Sequence, residues 1–350
     1  MFAINYIKLL NGFQYYLLYN FFETFQAELQ LYKKQCNIKF MKVVILGKGE
    51  MLCNLIEGTL DAKCDIVGVF RYERTAYSAL KLALHDFFKS SSDYTLIKQH
   101  KLHEIKCKSA NSEEFKKEII KLNADVILVG TWCEKLKKEI IDLPVIATIN
   151  VHPSYLPEYR GPNPYLQTIL NRETKSGVTF HLMNEEYDAG AVLAQKRVNI
   201  IPGDTSKELK ERTVFHARLL CAEVLKKLGY GLVIPVNQDE SKATYFPNIK
   251  REDMMLDFEK ETAEEIHARI RAFHPFLPCY YEYKNFYFIP NPYKLEIINK
   301  SGDTGKIICK NAKSASITIA CKNGRALKMS GVRLYGFKMF TKFFIQHFVK

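Results

Sequence analysis

Asn150 and His152 are the first residues whose types and spacing suggest chemistry. They are two positions apart, so in an extended strand their side chains project to the same side. An amide can donate hydrogen bonds to a developing negative charge, and an imidazole can carry a proton near neutral pH. Pro153, Pro157 and Pro162 keep the following loop stiff and out of helix. A lone histidine beside a proline more often serves as a loop or capping residue, but we predict a catalytic site here.

Asp188 supplies the carboxylate that could complete this site. It lies in the acidic segment 185–190, which connects two predicted strands and ends in Gly190. Such a segment is usually a solvated turn, but this one follows a neighbouring strand, from which Asp188 could reach His152. We predict that Asp188 orients the imidazole and favours its charged form.

The elements that must position these residues alternate in type from Met41 to about Ile200. Short apolar β-rich runs alternate with helical patterns, which is typical of a mostly parallel sheet flanked by helices. We therefore predict a Rossmann-like α/β fold in which His152 lies near the carboxyl edge of the sheet, where such folds bind ligands. The predicted strands are Val43 to Leu46, Ile66 to Phe70, Val126 to Val129, Ile146 to Val151 and Val178 to Leu182.

Gly47-Lys48-Gly49 follows the first predicted strand and suggests a dinucleotide-binding turn. The third glycine of that fingerprint is missing, because Leu52 occupies its position. A tight strand-to-helix turn is the better interpretation.

The second half of the chain has a different pattern. Residues 237–251 are largely polar and predict a linker, and the segment 252–350 contains short alternating runs separated by glycines. We predict an extension at 1–40, a catalytic domain at 41–236, this linker, and a small OB-like β-barrel at 252–350. Two capping boxes, Thr205 with Glu208 and Thr262 with Glu265, predict helix starts.

The formal net charge of +13 is concentrated at the end of the chain. Residues 284–350 contain thirteen lysines and arginines against two acidic residues, an excess of eleven. This distribution favours a phosphate-bearing partner. The nine cysteines show no Cys-x-x-Cys spacing, so neither a disulfide framework nor a metal site is expected.

Residues 1–40 are rich in Phe, Tyr and Leu, but polar residues interrupt each apolar run before it could span a bilayer. No secretory signal pattern is present, so we expect a cytoplasmic protein without membrane association. Because Met41 begins a clean predicted strand, we expect the functional start to lie there.

Together these motifs resemble the folate-dependent formyltransferase family over roughly Met41 to Val236. The likeness is carried by Asn150-x-His152-Pro153-Ser154-x-Leu156-Pro157, Arg160-Gly161, Gly177-Val-Thr and Asp188-x-Gly190. It implies that Asn150, His152 and Asp188 are the catalytic residues. It also implies that Ser154, Tyr155, Leu156 and Pro157 contact the co-substrate 10-formyltetrahydrofolate, with no metal required.

The second domain bears on the acceptor. Asp257-Phe-Glu, Arg269-Ile-Arg-Ala-Phe273 and Asn323-Gly-Arg-Ala-Leu327 are similar to the C-terminal barrel of family members that formylate initiator methionyl-tRNA in translation initiation. The resemblance therefore implies methionyl-tRNA as acceptor. Pro162-Asn163-Pro164-Tyr165 is closer to the branch that formylates amino-sugar nucleotides. The tRNA branch has a basic insertion after its second strand, whereas this chain has only Arg71 to Arg74 there. Both features favour a sugar-nucleotide acceptor. A sugar-nucleotide acceptor, or a non-catalytic RNA-binding protein, are the alternatives.

Overall fold

The first strand among the described residues begins immediately after Met41. The computed structural model describes residues 41–337, apart from 79, 83–85, 87–91, 284–285 and 315. The predicted extension at 1–40 therefore lies outside the described residues. No helix within the described ranges is both long and apolar enough to cross a membrane.

A six-stranded sheet with the order β2-β1-β3-β4-β5-β6 forms the centre of the first region. The strands β1 to β4 are parallel, and β5 and β6 are antiparallel to their neighbours. The inner strands are buried on both faces, which is why they are continuous apolar runs rather than alternating ones. The strands are β1 (Lys42–Gly47), β2 (Asp65–Arg71), β3 (Val126–Gly130), β4 (Ala147–His152), β5 (Lys175–Leu182) and β6 (Val192–Asn199).

Helices cover the sheet and connect its strands. The longest, Ser206–Gly229, begins with the predicted capping box, in which Thr205 and Glu208 exchange hydrogen bonds. The described helices of this region are α1 (Gly49–Asp61), α2 (Glu73–Ala76), α3 (Ser92–Gln99), α4 (Glu113–Leu122), α5 (Lys138–Ile141), α6 (Pro164–Leu170) and α7 (Ser206–Gly229).

Where the structure describes it, the second region contains one α-helix and short antiparallel strands. Helix α8 (Ala263–Phe273) begins with the second predicted capping box, formed by Thr262 and Glu265. A four-stranded sheet has the order β10-β11-β12-β9, and a three-stranded sheet has the order β13-β8-β7. The strands are β7 (Tyr281–Tyr283), β8 (Phe286–Ile289), β9 (Leu295–Ile298), β10 (Ile307–Asn311), β11 (Ser316–Ala320), β12 (Ala326–Met329) and β13 (Arg333–Phe337). These sheets, following a mostly parallel α/β region, confirm the predicted fold class.

One hydrophobic cluster joins the two regions. Leu166 and Ile169 of α6 and Leu209 of α7 belong to the same buried cluster as Ile266 and Phe273 of α8. The Oγ of Ser206 also donates a hydrogen bond to the Ala272 carbonyl. The second region is therefore packed against the first rather than tethered to it.

One arginine at the end of β2 and another shortly after it form ion pairs with acidic side chains. Arg71 is fully buried and pairs with Asp86 and Glu104, and Arg74 pairs with the same glutamate. A buried guanidinium needs such partners because its desolvation is costly. These side chains are therefore committed to the fold.

The Gly47-Lys48-Gly49 turn leads into α1, as expected for a strand-to-helix turn. The backbone N–H of Gly49 donates to Oδ2 of Asp93 at 3.1 Å, and Asp93 is fully buried. A carboxylate at a helix N-terminus accepts a hydrogen bond from an otherwise unpaired N–H and interacts favourably with the helix dipole.

Candidate functional site

Strands β4 and β5 place three polar side chains next to each other. Asn150 lies opposite His181 across the antiparallel pair, and His152 lies opposite Thr179. Asn150 and His152 share one face of β4, as their spacing predicts. His181 is buried at the centre of the site and was not predicted, because its partner depends on the register of two strands that are distant in sequence.

Asp188 reaches the site by a path that the sequence did not predict. Strand β5 is antiparallel to β4, so its end at Leu182 pairs with Ile149 rather than lying at the carboxyl edge. The loop 183–191 must turn back toward β4, and Asp188 takes a left-handed conformation with φ of 54°. Gly190 permits this return, because a Cβ there would lie 1.8 Å from the Leu182 carbonyl oxygen.

The Asp188 carboxylate contacts both predicted partners. Its Oδ1 lies 3.4 Å from Nδ1 of His152 and accepts a hydrogen bond from Nδ2 of Asn150 at 3.2 Å. Its Oδ2 accepts from the backbone N–H of Gly161 at 3.0 Å. The structure thus brings together the three side chains to which the sequence assigns catalysis.

His181 fixes the orientation of the Asn150 amide. A carbonyl only accepts hydrogen bonds, so Nδ1 of His181, 2.9 Å from the Leu182 oxygen, carries a hydrogen. Nε2 of His181 lies 3.0 Å from Nδ2 of Asn150, which donates to it. Both N–H bonds of the amide are engaged, one by His181 and one by Asp188, so donation to a new oxyanion requires exchange of one of them.

The two ring nitrogens of His152 have different partners. Nε2 lies 2.8 Å from the carbonyl oxygen of Tyr159 and therefore carries a hydrogen, while Nδ1 faces Asp188. Burial lowers the pKa of His152, and the charge of Asp188 opposes this effect. Burial thus disfavours the charged imidazole that the sequence predicts, whereas the Asp188 carboxylate favours it.

Asp188 is held in its ionised form although it is largely buried. Burial raises its pKa, but the charge of His152, the nearby His181 ring and the Gly161 N–H outweigh burial and hold the pKa well below its usual range. The donors from Asn150 and Gly161 support the carboxylate whichever form His152 takes. The site therefore pairs a carboxylate that is ionised at neutral pH with a titratable ring.

The loop 154–157, predicted to contact folate, is tightly folded. Ser154 is fully buried and its Oγ donates to the Glu158 carbonyl, while Leu156 is 2% exposed. The Thr179 hydroxyl accepts from the Leu156 N–H and donates to the Ser154 carbonyl. The side chain of Tyr155 stacks under Arg197, whose guanidinium carbon is 3.6 Å from the ring centroid. Contact of this loop with a co-substrate stays a prediction.

A cavity of about 290 Å³ lies beside the loop that contains Asp188. It is lined by Lys135, Leu136, Lys137, Lys138 and Glu185. Among the residues that the structure describes, no group of His, Cys, Asp or Glu side chains is arranged to hold a metal ion.

Comparison with known proteins identifies the class to which this fold and site belong. Residues 41–225 match the formyl transferase family, and residues 248–344 match the formyl transferase C-terminal domain. The chain therefore belongs to the formyltransferase family, as the motifs predicted.

Individual relatives are more specific. The chain is 31% identical over 234 residues to the methionyl-tRNA formyltransferase of Thermotoga maritima, which covers 67% of this chain and 72% of the relative. It is 26% identical over 318 residues to the methionyl-tRNA formyltransferase of Kosmotoga olearia, which covers 86% of this chain and 94% of the relative.

A solved structure shares the fold. It is the N-formyltransferase from Helicobacter canadensis, in complex with folinic acid and dTDP-3-aminofucose. It aligns with a TM-score of 0.60 at 18% identity, covering 83% of this chain and 99% of that chain.

Proposed function

We propose that this enzyme transfers the formyl group of 10-formyltetrahydrofolate to the amino group of methionine on initiator methionyl-tRNA. The observation that carries the proposal is the contact of Asp188 with both His152 and Asn150 within the region that matches the family. The curated relatives of Thermotoga maritima and Kosmotoga olearia, both methionyl-tRNA formyltransferases, support this acceptor.

The reaction is an acyl transfer through a tetrahedral intermediate. The neutral amine attacks the formyl carbon, a new C–N bond forms, and the carbonyl oxygen becomes an oxyanion. Donors placed where that charge develops usually provide the largest catalytic effect. Asn150 provides such a donor when one of its two amide hydrogens leaves its present acceptor, His181 or Asp188, and binds the oxyanion instead.

One proton must move from the attacking amine to the departing folate nitrogen. Asp188, which is held as the anion, accepts this proton directly or through a water and assists its loss from the amine. His152, paired with Asp188 through Nδ1, delivers a proton to the folate nitrogen as the original C–N bond breaks. Transfer of the proton from Asp188 to Nδ1 of His152 restores both groups, so the proton count balances, and the chemistry needs no covalent enzyme intermediate.

The cavity lined by residues 135–138 and Glu185 supports a folate-binding role for the adjoining surface. At about 290 Å³ it approaches the size of ordinary small-molecule pockets. Its lysines suit the anionic glutamate end of a folate. The 154–157 loop, which follows His152, contacts the co-substrate in this proposal.

An amino-sugar nucleotide is the second candidate acceptor. The relative from Helicobacter canadensis was solved with folinic acid and dTDP-3-aminofucose, and this supports the same chemistry on a sugar amine. The excess of positive charge at 284–350 favours transfer RNA, because each neutralised phosphate releases counterions.

A single assay separates these readings. Purified protein is supplied with 10-formyltetrahydrofolate and either charged initiator tRNA or an amino-sugar nucleotide, and tetrahydrofolate release is followed. We expect turnover with the tRNA alone. Turnover only with the sugar nucleotide would transfer the assignment to the second candidate, and RNA binding without turnover on either would support a non-catalytic RNA-binding protein.

The second region should carry the affinity for RNA. Replacing Lys310, Lys313 and Lys322 by Gln should weaken tRNA binding and reduce the slope of log affinity against log salt by about 1 for each phosphate that the protein no longer neutralises. The matched control replaces Lys63, Lys121 and Lys226, three exposed lysines of the first region. Equal slopes in the two triple variants would contradict an RNA-binding barrel.

A further inference from the structure

The predicted linker is part of the candidate site. The N–H of Tyr159 donates to Oγ1 of Thr244 at 2.8 Å, and the N–H of Arg160 donates to the Thr244 carbonyl at 2.8 Å. The N–H of Phe246 donates back to the Arg160 carbonyl, and the rings of Tyr159 and Phe246 stack at 4.9 Å. The segment 238–246 therefore pairs with the loop whose Tyr159 carbonyl accepts from His152.

Within this segment, Gln238 connects two loops of the site. Its Nε2 donates to the backbone carbonyls of Asp188 and Gly190, at 2.8 Å each. Its Oε1 accepts from Nη2 of Arg160 at 2.8 Å and from Nε at 3.2 Å. Arg160 is 9% exposed and also pairs with Glu240, so the acceptor side of Gln238 is fixed.

We propose that Gln238 is a positioning residue, which holds the Asp188 carboxylate against His152 by fixing the backbone carbonyls of Asp188 and Gly190. This role of Gln238 deepens the proposed function and rests on it for the catalytic readout. The left-handed backbone of Asp188 is a conformation that a non-glycine residue adopts only when its surroundings hold it there. The amide of Gln238 supplies that support through both of its hydrogens.

The consequence for His152 follows from the charges around its ring. Burial, the neighbouring His181 ring and Arg160 lower the pKa of His152, whereas Asp188 and the hydrogen bond to the Tyr159 carbonyl raise it. If the Asp188 carboxylate moves away, its negative charge acts from a greater distance and raises the pKa of His152 less. Loss of Gln238 should thus lower the pKa of His152 without touching the ring.

Two substitutions test the two sides of the amide separately. Gln238→Met keeps the length of the side chain and removes both donor and acceptor. Gln238→Glu keeps an acceptor for Arg160 but places a carboxylate against the two loop carbonyls. Ser241→Ala is the matched control, because Ser241 lies on the same segment and its described bonds are to Asp239.

We expect kcat to fall about tenfold to a hundredfold in both Gln238 variants, because small displacements of a catalytic group are costly. The KM for 10-formyltetrahydrofolate should stay within about twofold, since the displaced group acts on the transition state. In Gln238→Met, an NMR titration should show the His152 pKa lower by about half a unit or more. Ser241→Ala should match the unsubstituted protein in all three measurements.

The proposal is overturned if Gln238→Met leaves kcat and the His152 pKa unchanged, or lowers kcat with no change in that pKa, since the latter indicates only general loss of structure. It is also overturned if Gln238→Glu has the kcat of the unsubstituted protein. Should the unsubstituted protein transfer no formyl group, the proposed function fails, but the NMR comparison still decides the role of Gln238.

Discussion

At the scale of single residues, the site combines side chains that a sequence can suggest with others that it cannot. Asn150 and His152 were predictable because a two-residue spacing within one strand determines that they share a face. His181 and Gln238 contact the same cluster but lie in other segments, and their partners depend on strand register and on long-range packing. A polar segment such as 237–251 resembles any solvated connection until the structure shows what it binds.

The same limit explains why the path by which Asp188 reaches His152 was not predicted. The sequence indicated a strand before it, but not that this strand runs antiparallel to β4. The predicted proximity to His152 agrees with the observed 3.4 Å, while the route differs, because the loop turns back with Asp188 in a left-handed conformation. The catalytic roles of the three residues stay predictions.

Replacing Asp188 by Asn should abolish most of the transfer. The variant keeps the shape of the side chain but removes the base and the charge that raises the pKa of His152. We expect kcat to fall about a hundredfold to ten-thousandfold, the range for removal of an acid–base group. The pH dependence of the residual activity should also shift to lower pH, because the pKa of His152 falls.

Glu186→Gln provides the control, since this residue lies on the same acidic loop and is exposed. It should retain kcat within about twofold, as expected for a surface change away from the reacting groups. Equal loss in both variants, measured as tetrahydrofolate release, would argue that the loop and not the Asp188 carboxylate is responsible.

At the scale of elements, the helix starts were the most predictable features. The Thr205–Glu208 and Thr262–Glu265 capping boxes are local, so the sequence contains all the information that they require. The structure adds one contact that is not local. The hydroxyl of Tyr293 donates to Oε1 of Glu208, so the cap of α7 also holds the segment before β9.

This cap should make stability depend on acidity. Burial raises the pKa of Glu208, but hydrogen bonds from Thr205 and Tyr293 outweigh it and lower the pKa from 4.5 to about 2. A depressed pKa means that the carboxylate stabilises the fold fully above pH 4.5 and loses this contribution as the pH falls toward 2. The effect is modest, because the group is partly solvated.

We therefore expect Glu208→Gln to lower the stability of the protein in a pH-dependent way, which thermal unfolding can measure. The variant should melt below the unsubstituted protein at pH 7, by a loss of about 1 kcal/mol or less. The gap should narrow on going to pH 3. Glu211→Gln, on the exposed part of the same helix, should show neither effect. A gap that widens in acid would contradict the assigned role of Glu208.

At the scale of the whole molecule, the two regions share a core. The cluster that contains Leu166, Ile169 and Leu209 also contains Ile266 and Phe273, so removing either region would expose apolar surface of the other. A linker in the sequence suggested separable domains, since composition does not reveal what packs across a connection. The proposed domain boundaries remain predictions, but the packing argues for a single unfolding unit.

The only tryptophan of the chain allows a direct test. Trp132 lies in the first region between Phe70 and Tyr72, with ring centroids 5.2 and 5.3 Å away. Ile266→Ala, in the second region, should cost about 2–5 kcal/mol because Ile266 is fully buried. We expect tryptophan fluorescence and calorimetry to report one transition, shifted to lower temperature to the same extent.

Ile120→Ala is the control, because Ile120 is 61% exposed and its removal should change stability little. If the fluorescence transition of Ile266→Ala stayed in place while calorimetry resolved a separate earlier transition, the regions would be independent and the shared-core argument wrong.

The buried Asp93 carboxylate, which contacts the N-terminus of α1, limits which ligands can bind at that position. Dinucleotide-binding folds bind a pyrophosphate at this helix N-terminus. Here the Asp93 carboxylate occupies the position of that anion. A nucleotide phosphate could bind there only if the Asp93 side chain were displaced from the interior. We therefore expect a phosphorylated acceptor to bind at a surface other than the N-terminus of α1.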